Sequence, residues 1–328
     1  MSKTIYLHQQ SKLAPFVKSH KTFTSDEVTQ LPKQAIKVVP FDPFLPTEDT
    51  DLHIDYLKNT DDQYVYIENV VEGSSTLIRH LDQRGLLKKA LAGDIGIIAS
   101  GEMPEQMNAL AINYMLYRTG SVNENHRKIS IAKKNKPYTF LFLNNRLRSH
   151  RTDLIQQIHA TGLLDSALWS NLCMGAGGQF VGTTLAKNKL PEKYDPQESK
   201  DLIDWTKWTA GPVIKPQYQD TYFSVYAESS AMHRYAFPTE KTWKPIIAGH
   251  PFMALANSRH YKYLHELGFK TFTGIIDETW AGMKRWQDAV RWFTKQLVTL
   301  SKTDLADFQT QCKSITTHNK KQFWTLYD

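Results

Sequence analysis

Thr239, Glu240 and Lys241 head the segment Phe237-Pro-Thr-Glu-Lys-Thr-Trp-Lys-Pro-Ile-Ile-Ala-Gly-His-Pro-Phe252, whose residue types suit the binding of a sugar and an anion. Thr239 is placed as an N-cap, because its hydroxyl can accept a hydrogen bond from a free amide of the first helical turn. Glu240 then falls where a carboxylate complements the helix dipole, and Lys241 lies beside amides that favour an anion. Together they can hold a ribose and its phosphates, with Lys244 next along the same helix. A Glu-Lys pair in a first turn is also an ordinary solvated pattern, so its surroundings must decide between the two readings.

Those surroundings read as part of an α/β sheet. Trp243, Ile246, Ile247 and Ala248 recur at helical spacing, Gly249 suits the residue just past a helix, and Pro251-Phe-Met-Ala-Leu-Ala256 has the composition of a buried strand. Upstream lie Tyr222-Phe-Ser-Val-Tyr-Ala-Glu228 and Tyr138-Thr-Phe-Leu-Phe-Leu-Asn-Asn-Arg-Leu-Arg-Ser-His-Arg-Thr-Asp-Leu-Ile155. This ordered series, over about residues 138–277, resembles the donor-binding region of fucosyltransferase-like glycosyltransferases. In that family a strand ending in Glu-Asn precedes a Thr-Glu-Lys helix and an Ala-Gly-x-x-Pro turn, and an Asn-containing loop leads into an Arg-started helix. The segment is also similar to phage and marine-virus proteins with a Thr-Glu-Lys-(Thr/Phe)-x-Lys-Pro pattern. The resemblance implies that Arg151 contacts a diphosphate, Glu240 the ribose hydroxyls and Lys241 a phosphate, with Asn145, Glu228, Thr239 and Lys244 in the same donor-binding set. It implies two Rossmann-like domains facing across a cleft, the metal-independent B-type architecture. The chain departs from the pattern at Ser229, where the family has Asn, and at Pro251, which sits closer to the glycine.

An inverting transfer also needs a carboxylate that deprotonates the acceptor hydroxyl, while fixed cations and amides stabilise the departing diphosphate. Glu72 is the first choice for the base, because it lies in a loop directly after the strand Gln63-Tyr-Val-Tyr-Ile67; Glu68 and Glu102 compete with it.

Along the whole chain, short apolar strands at Lys3-Thr-Ile-Tyr-Leu7, Ala35-Ile-Lys-Val-Val-Pro40 and Ile95-Gly-Ile-Ile-Ala99 alternate with loops and helices, which implies a mainly parallel sheet with ligands at the carboxyl ends of its strands. The expected division is an acceptor-side domain over 1–133, a donor-binding domain over 134–278 and a helical segment over 279–328. In the last, Trp280, Met283, Trp286, Val290, Phe293 and Leu297 form a stripe suited to packing. With 328 residues, 41% of them hydrophobic, the chain is long enough for two cores. It has no apolar run long enough to span a bilayer and no apolar leader, so a cytoplasmic protein, in the host if viral, is expected. Cys173 and Cys312, far apart, argue against a disulfide framework or a cysteine zinc site.

The net charge of +7 favours an anionic partner. The densest basic stretch, Arg127-Lys-Ile-Ser-Ile-Ala-Lys-Lys-Asn-Lys136, followed by Arg146 and Arg148, suggests a lip beside the donor site on which Lys133, Lys134, Lys136, Arg146 and Arg148 could meet a DNA acceptor. A solvated connection reads equally well. Asp49-Thr-Asp51 has the form of a metal-diphosphate clamp but lies in a polar stretch that reads as a solvated loop, and Gly175-Ala-Gly-Gly178 lacks the ending of a phosphate loop. No cofactor or metal is expected, only a nucleotide-diphosphate sugar as co-substrate. The acceptor stays open between a hydroxymethylated base of phage DNA and a surface glycan, and a non-catalytic nucleic-acid-binding protein on the same scaffold is the reading from another class.

Overall fold

The structure, a computed structural model, describes residues 4–328 except 15, 16, 18, 42–47, 63, 70–73, 108, 134, 175–184, 186–189, 195–211, 230, 232 and 233. Glu72, Lys134 and the stretch Gly175 to Gly178 lie outside the described residues. The chain divides into two compact units, Met1–Tyr114 and Met115–Asp328.

The amino-terminal unit is built on a parallel sheet of β1 (Ile5–His8), β2 (Lys21–Phe23), β3 (Ile36–Pro40), β4 (Val65–Asn69), β5 (Gly96–Ser100) and β6 (Ala109–Ile112), in the order β2-β1-β3-β4-β5-β6. Helices α1 (Glu48–Asn59), α2 (Ser74–Gln83) and α3 (Leu87–Ala92) connect the strands. Continuous β-branched runs such as Ile97-Ile98 make strands covered on both faces, and every residue of β5 is buried. Gly96 is required there, since a Cβ on it would come within 2.4 Å of the Tyr66 ring on β4. Asp49-Thr-Asp51 turns out to lie on α1 rather than in a loop, and Asp51 pairs with Arg84 at 3.1 Å on the surface.

The carboxy-terminal unit carries the parallel sheet β10-β9-β7-β8, made of β7 (Tyr138–Arg146), β8 (Leu168–Met174), β9 (Thr221–Ala227) and β10 (Phe252–Leu255). Its helices are α4 (Tyr114–Val122), which begins at the boundary, α5 (Ser149–Ala160), α6 (Lys215–Gln219), α7 (Glu240–Ala248), α8 (His260–Glu266), α9 (Trp286–Ser301) and α10 (Leu305–Tyr327). Phe140, Phe223, Trp243, Phe252, Phe272, Phe293 and Phe323 fill its core. Trp280, Val290, Phe293 and Leu297 of the aromatic stripe are buried within this unit, as packing requires.

Two expected boundaries move. Gly120 lies against the Tyr327 ring, and the Arg127 guanidinium stacks 4.5 Å from the Trp324 ring and bonds to Asp328 at 2.6 Å. Residues 115–133 and 279–328 therefore belong to the carboxy-terminal unit instead of lying outside it.

The basic stretch is also placed differently. Tyr138 N donates to the Asp220 carbonyl at 3.1 Å, so Asp220 marks the amino ends of β7 and β9. Its carboxylate, 2% exposed, takes Lys133, Lys193 at 2.5 Å and the Tyr194 hydroxyl at 2.8 Å. Burial pushes this carboxyl up, but those three donors bring it down to about 2. Lys136 is buried with its ammonium on the Tyr218 carbonyl at 3.1 Å, and burial lowers it to about 8. Arg146 and Arg148 stand at the other end of β7, roughly 26 Å away at about 3.3 Å per residue. A single basic lip is thus ruled out: Lys133 and Lys136 fasten the amino edge of the sheet. Among the described residues no helix is long and apolar enough to cross a membrane.

Candidate functional site

In the carboxy-terminal sheet the chain runs from β7 outward to β8, then returns to β9 on the other side of β7. The strand order therefore reverses between β7 and β9, and ligands of parallel sheets bind outside the carboxyl ends at such a point. Asn144 to Arg146 end β7, and Glu228 and Ser229 follow β9. The first turns of α5 and α7 start from the same two strand ends, so both helices present their positive ends there.

Helix α7 follows from local rules. Thr239 caps it in an extended conformation, accepting from Lys241 N, and Gly249 ends it at φ 68° with its amide on the Ile246 carbonyl. Pro245 removes one internal bond, so the caps and the buried face of Trp243, Ile246 and Ile247 hold the helix.

Glu228 fixes where this helix starts. It is 1% exposed, and each of its oxygens accepts one backbone N–H and one hydroxyl. Oε1 takes Thr239 N at 2.9 Å and Thr242 Oγ1 at 2.7 Å, while Oε2 takes Ser229 N at 3.1 Å and Thr239 Oγ1 at 2.7 Å. A carboxylate so enclosed has no face left for a ligand, so Glu228 positions the site instead of lining it. Thr239, 3% exposed, is likewise spent on the cap and on Glu228. His150, on the first turn of α5, donates Nε2–H to the Glu228 carbonyl at 2.9 Å and ties the two crossovers together.

Arg151 is the unusual residue of the site. It is 3% exposed, yet its guanidinium meets no carboxylate within salt-bridge distance among the described residues. Its bonds are long ones, Nη1 to the Arg146 carbonyl at 3.4 Å and Nη2 to Ser229 Oγ at 3.2 Å, and Nε is buried without a partner. Burial lowers its pKa to about 10, Arg148 and Arg146 push the same way, and Glu228 and Glu240 only partly oppose them. Helix α5 begins at Arg148 without a side-chain cap. A buried cation at an uncapped helix start, with no carboxylate in salt-bridge distance among the described residues, is an arrangement that an anion would complement.

Glu240 and Lys241, both half-buried, form a pair at 2.6 Å. Burial raises the Glu240 carboxyl, but Lys241 and then Lys244 outweigh it and hold the group below its ordinary value. Burial lowers the Lys244 ammonium against the pull of Glu240. Among the described residues named at this edge, the cations Arg146, Arg148, Arg151, Lys241 and Lys244 outnumber Glu228 and Glu240.

The remaining carboxylates belong to the amino-terminal unit. Glu68, 3% exposed at the end of β4, accepts from the Ser11 hydroxyl and from Lys12 N at 2.7 Å; burial raises its carboxyl against those bonds. It fastens the loop after β1. Glu102 is buried two residues beyond β5, on the strand next to Glu68. Sequence reasoning assigned no site role to His150, Ser229 or Thr242. Ser229 was noticed only as a departure from the family pattern, and Thr242 had a local signal, three positions after a threonine cap. Among the described residues no group of histidine, cysteine or acidic side chains could hold a metal ion, and Cys173 and Cys312 are both buried. No protein-family model and no curated protein matches this sequence.

Proposed function

We propose that the protein is a nucleotide-sugar-dependent glycosyltransferase whose carboxy-terminal unit binds the donor. The observation that carries this reading is Arg151: a buried guanidinium with no counter-ion among the described residues, beside an uncapped helix start, where a parallel sheet reverses its strand order. In this reading the donor diphosphate lies between Arg151 and Lys241, with the α5 amides as further donors, and Glu240 accepts from the ribose hydroxyls. As the bond from sugar to diphosphate breaks, negative charge grows on the leaving oxygen, and these groups stabilise it without rearranging. Lys241, and then Lys244, keep Glu240 ionised and able to accept. The acceptor hydroxyl loses its proton to a carboxylate. Glu72 is the residue we propose first for that role, with Glu68 and Glu102 as its competitors. The net charge of +7 supports a polyanionic acceptor, with a hydroxymethylated base of phage DNA the first to test.

The test is thermal unfolding against uridine, guanosine, cytidine and thymidine diphosphates and their sugars. One nucleotide is expected to raise the midpoint in proportion to RT ln(1 + [L]/Kd), and Lys241→Ala should weaken that response. No shift with any of them would overturn the reading.

A further inference from the structure

A second polar group at this edge has no partner. Asn145 Oδ1, next to last in β7, is buried and accepts no hydrogen bond among the described residues. Its neighbours in the strand are engaged. Asn144 Nδ2 donates to Asn171 Oδ1 at 2.9 Å across the β7–β8 pair, and the Arg146 carbonyl accepts from Arg151. The pairing then shifts, from Asn144 opposite Asn171 to Arg146 opposite Met174, and Cys173 takes up the extra residue at φ 52°. A bulge of this kind re-aims the side chains beside it. Because side chains alternate along a strand, Asn145 points to the face opposite the Asn144–Asn171 pair.

Two buried atoms of opposite polarity, each without a partner among the described residues, thus belong to this strand end: Arg151 Nε, which can only donate, and Asn145 Oδ1, which can only accept, with Arg151 Nη1 bonded to the carbonyl of the residue after Asn145. A phosphate at neutral pH accepts and does not donate, so it meets the needs of Arg151 and leaves Asn145 unpaired. A ligand that satisfies both carries a hydroxyl close to its phosphate. We infer that Asn145 accepts from a hydroxyl of the sugar being transferred, so that it is the residue by which the site distinguishes a nucleoside diphosphate sugar from the nucleoside diphosphate alone. This rests on the donor reading above, in which the transferred sugar is the ring attached to the terminal phosphate.

The experiment is calorimetric titration of the wild-type chain, Asn145→Ala and Asn145→Leu with the nucleotide identified by thermal shift, as its diphosphate and as its sugar conjugate. The wild type should bind the conjugate about tenfold tighter, the worth of one buried hydrogen bond. Both variants should lose that preference, keep their affinity for the plain diphosphate within about twofold, and unfold without ligand no lower than the wild type. Retained diphosphate binding serves as the folding control. Equal losses for both ligands would assign Asn145 to the nucleotide or to the fold and overturn the inference, as would an undiminished preference in the variants. A wild type that binds neither ligand would instead sink the donor reading on which the inference stands.

Discussion

Replacing Arg151 by methionine should stabilise the ligand-free protein while removing its response to nucleotide. Burial and the neighbouring arginines lower the guanidinium from its ordinary value to about 10. A base whose folded pKa lies below its unfolded value penalises the native state at every pH below the folded one, with recovery only as pH rises through about 10 towards the unfolded value. At pH 7 the full penalty applies, and at about 1.4 kcal/mol per pH unit it amounts to about 3 kcal/mol. The two hydrogen bonds lost with the guanidinium are 3.4 and 3.2 Å long and return about 1–2 kcal/mol together. Methionine retains the stem and the helix propensity. The balance is a gain of about 1–2 kcal/mol, or a rise of about 3–6 °C in the midpoint for a unit of this size. Differential scanning calorimetry with and without pyrophosphate reads both halves of the prediction: pyrophosphate should raise the wild-type midpoint and leave that of Arg151→Met in place. A midpoint for Arg151→Met more than about 2 °C below wild type would show that the guanidinium serves the fold, and the case for an anion site would fall with it.

Glu228→Gln should destabilise by about 2–3 kcal/mol despite its matching shape, because a glutamine has one accepting end and must turn N–H towards the Ser229 or the Thr239 amide; a loss below 1 kcal/mol in urea unfolding would contradict the enclosed carboxylate. His250 and His260, each 1% exposed, are lowered by burial to about 3 and about 4. Their stabilising effect is complete above pH 6.5 and is lost as pH falls, by up to about 2 kcal/mol apiece at pH 5, where only the unfolded chain binds those protons. A urea midpoint unchanged between pH 7 and 5 would refute this. Asp220→Asn should cost about 2 kcal/mol by stranding Lys133 and Lys193, yet leave the nucleotide-dependent shift intact, since Asp220 lies at the opposite end of β7; loss of that shift would contradict the placement.

Much of the α/β plan could be read from the chain because its central strands are unbroken apolar runs. Strands β3, β5, β7, β9 and β10 were found within a few residues. The misses have physical causes: β2 and β6 are short edge strands of three and four residues, and β8 is interrupted by Ser170 and by Asn171, which accepts from Asn144 across the sheet. The caps Thr239 and Gly249 were legible since capping is a local matter. The enclosure of Glu228 was not, because it depends on which helix start meets the end of β9. Reading Lys133, Lys136 and Arg146 as one patch failed because a strand converts closeness in sequence into distance. Arg151 could be suspected from its motif, but its missing counter-ion becomes visible only in three dimensions.

The tie between His150 and Glu228 spans 78 positions of sequence. Half of the proposed anion site comes with β7 and α5, and the other half arrives only when β9 has taken its place beside β7. In the proposed reading, binding at this edge requires β9 in place beside β7, so nucleotide capture during refolding would report the docking of β9. A chain emerging from the ribosome would then bind nucleotide only after residues beyond Lys241 had cleared the exit.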